Sequence, residues 1–323
     1  MSGKAERELK YEQKMQKKLN ELPDIFVEYY YFLRADKSFK TIDSYISYVA
    51  DFAKFCNRNK IPSEFYKTTK PTDINKYLTE KKTRIVDDKV VMRSDSYLTT
   101  CWSALNSFYE YLVKNNYIEI NPLSKTNRPK LRDNPKIEYL TQDEIHDLLN
   151  EVKNENKETM KRDLAILALG FATGLRVTAI SLIDISDIDF KTNTISVVEK
   201  RNKSCSVVFG EQVRHYILDW MAERNVLFPN AETDALFITG NNRRISIHTI
   251  RAMIMKYSEK VTDKKVRPHV MRHSCATNLY EKTGDIYLCA EVLHHEKVST
   301  TQRYATMSQT KKREAATLLD DML

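Results

Sequence analysis

The sequence predicts a mainly α protein with a small β-sheet, in which a helical N-terminal domain is followed by an α+β C-terminal domain. Three observations carry this. Apolar residues recur at helical spacing along most of the chain, whereas residues 194–198 and 205–209 read as two short strands. Glycine (6) and proline (8) are scarce, which excludes collagen-like or linker-dominated chains and argues against a glycine-built nucleotide fold. The 323 residues amount to about two domains at roughly 100–200 residues each. With 41% hydrophobic residues, 18 Tyr and 12 Phe, the chain can bury a core and is no disordered polyampholyte.

The elements follow in order. Residues 1–21 are polar and read as an N-terminal extension, a frayed or extended helix. A helical domain is expected over 22–120. Its first helix starts at Leu22-Pro23-Asp24, with Pro23 where a helix start tolerates it and Ile25, Phe26, Tyr29 and Leu33 at helical spacing. Its second follows Ser38, with Ile42, Tyr45, Ile46, Val49, Phe52 and Cys56 on one stripe. Its third carries Leu98, Trp102, Leu105, Tyr109 and Leu112, in alternating steps of four and three. These aromatics read as core.

Residues 121–136 hold three prolines, little apolar content and an excess of positive charge, the composition of a linker. A second domain is expected over 137–323. Thr141 and Glu144 stand at capping-box spacing before Ile145, Leu148 and Leu149. Helix continues through Leu164–Phe171, then come the two strands around the loop Glu199–Ser204, and then helix again. At the end, Ala315, Leu318, Leu319 and Met322 share one face of an amphipathic helix over about 308–323.

Charge points to a partner. The net of +8 is concentrated in residues 1–130, which hold 24 Lys and Arg against 17 Asp and Glu, while 131–323 hold 28 against 27. A basic N-terminal half suits a polyanion, because neutralising phosphates releases counterions. No stretch has the apolar length of a membrane span, and the charged N-terminus lacks the apolar run of a signal peptide, so a cytoplasmic protein is expected. The five cysteines are widely spaced with no C-x-x-C, the pattern of buried thiols rather than of disulfides or a zinc site.

Four segments of the second domain carry chemistry: Ala172-Thr173-Gly174-Leu175-Arg176-Val177, the loop around Lys200, Pro268-His269-Val270-Met271-Arg272-His273, and Leu293-His294-His295 with Tyr304 beyond. Each is ordinary alone: an arginine after a glycine is usually a surface residue and a loop lysine is usually solvated. Together and in this order they resemble the tyrosine recombinases, the site-specific DNA recombinases of the phage-integrase and Xer type. The match is to A-T-G-L-R-V, a hairpin lysine 24 residues after Arg176, H-x-x-R-H, and a histidine nine residues before a tyrosine. It spans roughly 140–310, and a basic helical domain joined by a linker fits the DNA clamp of that family.

The resemblance implies a reaction whose physics explains these residue types. A tyrosine oxygen attacks a DNA phosphodiester through a phosphorane whose nonbridging oxygens gain negative charge, and preorganised cations stabilise it. Arg176 and Arg272 suit this because planar guanidinium forks hold two phosphate oxygens and stay charged. His269 and His295 add hydrogen bonds or proton transfer. Lys200 is implied as the general acid for the leaving 5′-oxygen, and Tyr304 as the nucleophile, in the early turns of a helix that Ser299 and Gln302 would cap. The 3′-phosphotyrosine conserves bond energy, so neither cofactor nor metal is needed. His269 and His273 are four residues apart, but the glutamate of H-E-x-x-H is missing. The implied partner is a double-stranded recombination site bound by a homotetramer, with the C-terminal helix docked in a neighbouring protomer; the ordinary alternative for such a helix is docking on its own domain.

Four positions depart from the family pattern. Thr178-Ala179 replace the usual Ser-Glu after Val177, Glu199 rather than glycine precedes Lys200, and Cys275 stands where a bulkier residue is common. Two other readings are a DNA-binding protein without strand exchange, which would form no covalent adduct, and an enzyme of the topoisomerase IB type, which would relax DNA rather than exchange strands.

Overall fold

The computed structural model describes residues 3–61, 64–130, 138–155, 157–198, 204–294 and 301, and of residues 3–8 and 10 the backbone alone. The chain divides into two compact units, Met1–Asn134 and Pro135–Leu323. Among the described residues no helix is long and apolar enough to cross a membrane.

The first unit holds α1 (Gly3–Leu19), α2 (Asp24–Arg34), α3 (Phe39–Arg58), the short α4 (Phe65–Thr68), α5 (Pro71–Glu80), the hairpin β1 (Thr83–Val86) and β2 (Lys89–Met92), and α6 (Asp95–Lys114). α3 starts where the Ser38 hydroxyl accepts the Thr41 amide at 3.3 Å, and its stripe Ile42, Ile46, Val49, Phe52 and Cys56 is buried. The aromatics form the core as expected, with Phe26, Tyr29, Phe52, Phe108 and Tyr109 fully buried and the Tyr29 and Phe108 rings meeting edge to face at 5.1 Å.

Three features of this unit differ from the sequence expectation. The N-terminal stretch is helical as expected but is no free extension, since Met15 and Leu19 reach the same core and Lys18 binds the Asp43 carboxylate of α3 at 2.6 Å. The segment read as linker begins with a 3-10 turn, Pro122–Lys125, whose Leu123 is buried in that core. The segment that follows is tied to α6, since Trp102 Nε1 donates to Thr126 Oγ1 at 3.0 Å and Thr99 Oγ1 to the Pro129 carbonyl at 3.1 Å. Composition hid this because one leucine supplies the burial. The hairpin was not expected: Asp87 and Asp88 form its two-residue turn with φ of +48° and +58°, the geometry that matches strand twist.

The second unit holds α7 (Gln142–Asn154), α8 (Met160–Thr173), α9 (Val177–Leu182), β3 (Ile188–Asp189), β4 (Thr194–Val198), β5 (Ser204–Val208), α10 (Glu211–Leu227), α11 (Ile247–Ser258), α12 (Pro268–Thr283) and α13 (Ile286–Val292). The expected capping box opens α7: the Thr141 hydroxyl accepts the Glu144 amide at 3.3 Å and Glu144 accepts the Thr141 amide at 2.8 Å. α8 is apolar nearly all round and lies at the centre, packed by α7, α10 and α12. Its charged pair is enclosed: Arg162 donates to Asp163 and to the Ile238 carbonyl, and the Tyr257 hydroxyl donates to Asp163 at 3.2 Å. The sheet is antiparallel in the order β3-β4-β5, with Ile195 and Val207 paired and buried. β3 was not expected, being two residues long.

Leu123 should anchor the turn that carries the chain out of the first unit. Leu123→Ala is expected to destabilise that unit by about 2–4 kcal/mol, read from the urea midpoint of its unfolding transition. A change below about 0.5 kcal/mol would mean that the turn is not part of the core.

Candidate active site

The site forms where three distant segments meet in the second unit. α8 ends at Gly174, left-handed with φ of +63°, and its amide caps the helix on the Gly170 carbonyl at 3.1 Å. Arg176 follows in extended conformation as the N-cap of α9, its carbonyl accepting the amides of Ala179 and Ile180. The backbone of A-T-G-L-R-V is thus a tight link between two helices, and Arg176 is half-buried at that link.

Arg272 comes from the opposite side. Pro268 opens α12 at the position where its missing N–H costs nothing, which places His269 and Arg272 in the first turn and a half. Arg272 is 6% exposed. Its Nη1 donates to the Gly174 carbonyl at 2.9 Å and its Nη2 to the carbonyl of Leu293, the C-cap of α13. One guanidinium therefore joins α12 to the segments that lead into Arg176 and into His294. His294 itself is left-handed, with φ of +49°.

The closeness of these segments explains the glycine. A Cβ on Gly174 would lie 2.5 Å from Leu293 Cδ2 and 3.3 Å from Cys275 Sγ, and the left-handed backbone alone disfavours a side chain. Cys275 fills the space between, with Ala276 and Leu293 beside it. Burial pushes its thiol up to about 12, against the opposing effect of Arg272. It is a neutral packing group and no nucleophile.

His269 is held below its ordinary value, first by loss of water around the imidazole and then by the positive charges of Arg251, Arg272 and Arg176. Arg251, on the exposed side of α11, is the residue that sequence reading missed. No motif marks it; only the tertiary fold brings α11 to the start of α12. Three guanidiniums act on one imidazole, so the site carries positive charge that suits an anion.

Of the six residues singled out in the sequence, Arg176, His269 and Arg272 are brought together. Lys200, His295 and Tyr304 lie outside the described residues, as does the helix expected over 308–323. β4 and β5 frame the lysine loop, their last pair being Val198 with Ser204. Thr301, three residues before Tyr304, is fully buried. No cluster of three metal-ligating side chains occurs among the described residues.

Guanidiniums and an imidazole gathered at the ends of helices, on an α-rich domain with a three-stranded sheet, define a site for handling an oxyanion. Comparison with known proteins gives this site its family. Residues 138–311 match the model of the phage integrase family. The chain is 30% identical to the tyrosine recombinase XerC of Thermodesulfovibrio yellowstonii over 264 residues, 80% of this chain and 83% of that one. It is also 30% identical to XerC of Listeria welshimeri over 276 residues, 84% and 88% of the two chains. The integrase of transposon Tn1549, solved in complex with circular intermediate DNA, shares the fold with a TM-score of 0.68 at 15% identity, over 91% of this chain and 98% of that one. The chain belongs to the phage integrase family and is a tyrosine site-specific recombinase.

The electrostatics make a prediction. The folded protein disfavours the His269 imidazolium, so this residue's share of stability is intact above its ordinary value and is lost as the pH falls through the lowered folded one. In an NMR titration of the DNA-free protein the His269 ring should show a midpoint below about 6.5, and Arg251→Gln should move it upward. A midpoint at or above that value would contradict the cationic pocket.

Proposed function

We propose that the protein cleaves and rejoins double-stranded DNA at a specific site through a 3′-phosphotyrosyl intermediate. Arg176 and Arg272 bind the nonbridging oxygens of the scissile phosphate and stabilise the charge they gain in the phosphorane. His269 and His295 donate hydrogen bonds or move protons at the same phosphate. Tyr304 is the nucleophile and Lys200 protonates the leaving 5′-oxygen. The observation that carries the reading is the gathering of Arg176, His269 and Arg272 around the end of α8. Side-chain cations supply the charge, so cleavage is expected to proceed in EDTA without nucleotide.

The basic first unit is proposed to hold the duplex, with the protein acting in the cytoplasm as a tetramer on its site. The helix over about 308–323 is proposed to dock on a neighbouring protomer. A groove of about 720 Å³ bordered by Ile145, Leu149, Phe171, Tyr216 and Leu279 supports this, since it offers an apolar lining to such a helix.

A duplex nicked next to the cleavage point traps the covalent intermediate and tests the reading. Tyr304→Phe should form no adduct and still bind DNA; an adduct in that variant would place the nucleophile elsewhere. Arg176→Lys keeps the charge but loses the fork, and should slow cleavage by about 10²–10³-fold with near-normal affinity. On DNA with a 5′-bridging phosphorothiolate, whose leaving group needs no proton, Lys200→Ala should recover and Arg176→Ala should not.

A further inference from the structure

The hairpin of the first unit stands out because nothing in that unit covers it. All eight residues of β1 and β2 are exposed. The register pairs Ile85 with Val90 and Thr83 with Met92, so these four side chains share one face. Ile85, Val90 and Met92 are 75%, 73% and 69% exposed, an unusual state for three aliphatic side chains on one face. Arg84 and Lys89 stand on the other face. A two-stranded ribbon of this length is marginal alone in water, so a partner that seats it would hold its shape.

At the foot of the hairpin lies a cleft of about 380 Å³ whose polar lining includes Asn75, Lys82, Arg93, Asn127 and Lys130, with Asp95 the one carboxylate. Among the described residues Lys82, Arg93 and Lys130 make no ion pair, in a unit where Lys18, Lys67 and Lys81 all do. Arg93 is positioned: its guanidinium lies over the Tyr97 ring at 4.3 Å, and its Nε is buried with no acceptor among the described residues. Three cations lining one cleft, Arg93 among them held in place, together with two side-chain amides suit a phosphodiester.

We infer that this cleft binds a backbone phosphate of duplex DNA away from the cleaved bond, and that the hairpin lies lengthwise in the adjoining groove with Ile85, Val90 and Met92 against sugars and base edges. A two-stranded ribbon has the width of the major groove. The turn carries Asp87 and Asp88, whose charge opposes entry tip first and leaves the flanks of the ribbon as the contact. The inference rests on the reading of the chain as a DNA recombinase and names a contact that its cleavage chemistry does not require.

The test is the salt dependence of binding by the full-length protein to a labelled duplex of mixed sequence, by fluorescence anisotropy in KCl between about 50 and 200 mM. Removing the three cations that hold this one phosphate, in the triple variant Lys82→Gln/Arg93→Gln/Lys130→Gln, should reduce the slope of log K against log salt by about 1. Ile85→Thr/Val90→Thr, at exposed positions that folding does not need, should weaken binding about three- to tenfold with the slope unchanged. Lys37→Gln/Lys67→Gln, at lysines already paired with Asp36 and Glu64, should leave the slope as it was. An unchanged slope in the triple variant, or an equal fall in the paired-lysine control, would overturn the inference. So would normal DNA binding by the hairpin variant together with a shift in sedimentation, which would assign the apolar face to a protein. A wild-type protein that does not bind the duplex would instead sink the recombinase reading itself.

Discussion

The second unit turns on the guanidinium of Arg272. It donates to the carbonyls of Gly174 and Leu293, the C-caps of α8 and α13. Carbonyls at helix C-termini have no partner within their helix and carry the negative end of the dipole, so a cation placed between two of them satisfies both. The geometric consequence is larger than the bonds. Arg176 stands two residues after Gly174 and His295 two residues after Leu293, so a single side chain sets where two motif segments begin. Burying a cation is costly without such partners; here the carbonyls offset the cost and fix the plane of the fork.

Packing around that bond leaves little freedom. The left-handed Gly174 lets the α8 terminus approach Leu293, and Cys275 is small enough to sit beside both. The departure from the family pattern at Cys275 therefore reads as a fit to this contact rather than as chemistry, consistent with a thiol kept neutral by burial. Burial first, and then the charges of Arg251, Arg272 and Arg176, depress the protonation of His269 in the absence of DNA. A phosphate arriving among them would relieve the repulsion, so the pocket is built to gain most when the anion is present.

Much of this was legible in the sequence where one local rule acts alone. Ser38 and the Thr141–Glu144 box mark helix starts because their side chains bond amides three residues on, and both bonds are present. The strands Thr194–Val198 and Ser204–Val208 follow their β-branched residues closely. The misses have a common cause, which is that tertiary contact decides them. Leu123 is one apolar residue in a polar stretch, and only α6 and its neighbours make it core. Met15 and Leu19 are similar. The hairpin over 83–92 is hard to read from the sequence because Asp87-Asp88, between two short apolar runs, is a turn signal without glycine. In the site, Arg176, His269 and Arg272 were legible through ordered motifs, whereas Arg251 reaches His269 only through the placement of α11.

Amide hydrogen exchange on an Arg272→Leu variant tests most directly whether one guanidinium organises the site. Protection is expected to fall together at the end of α8 and the start of α9, residues 172–180, and at the end of α13, residues 289–294. The first unit and the α7 amides should remain as protected as in the wild type. Loss of protection confined to α12, with both flanking segments unchanged, would contradict it.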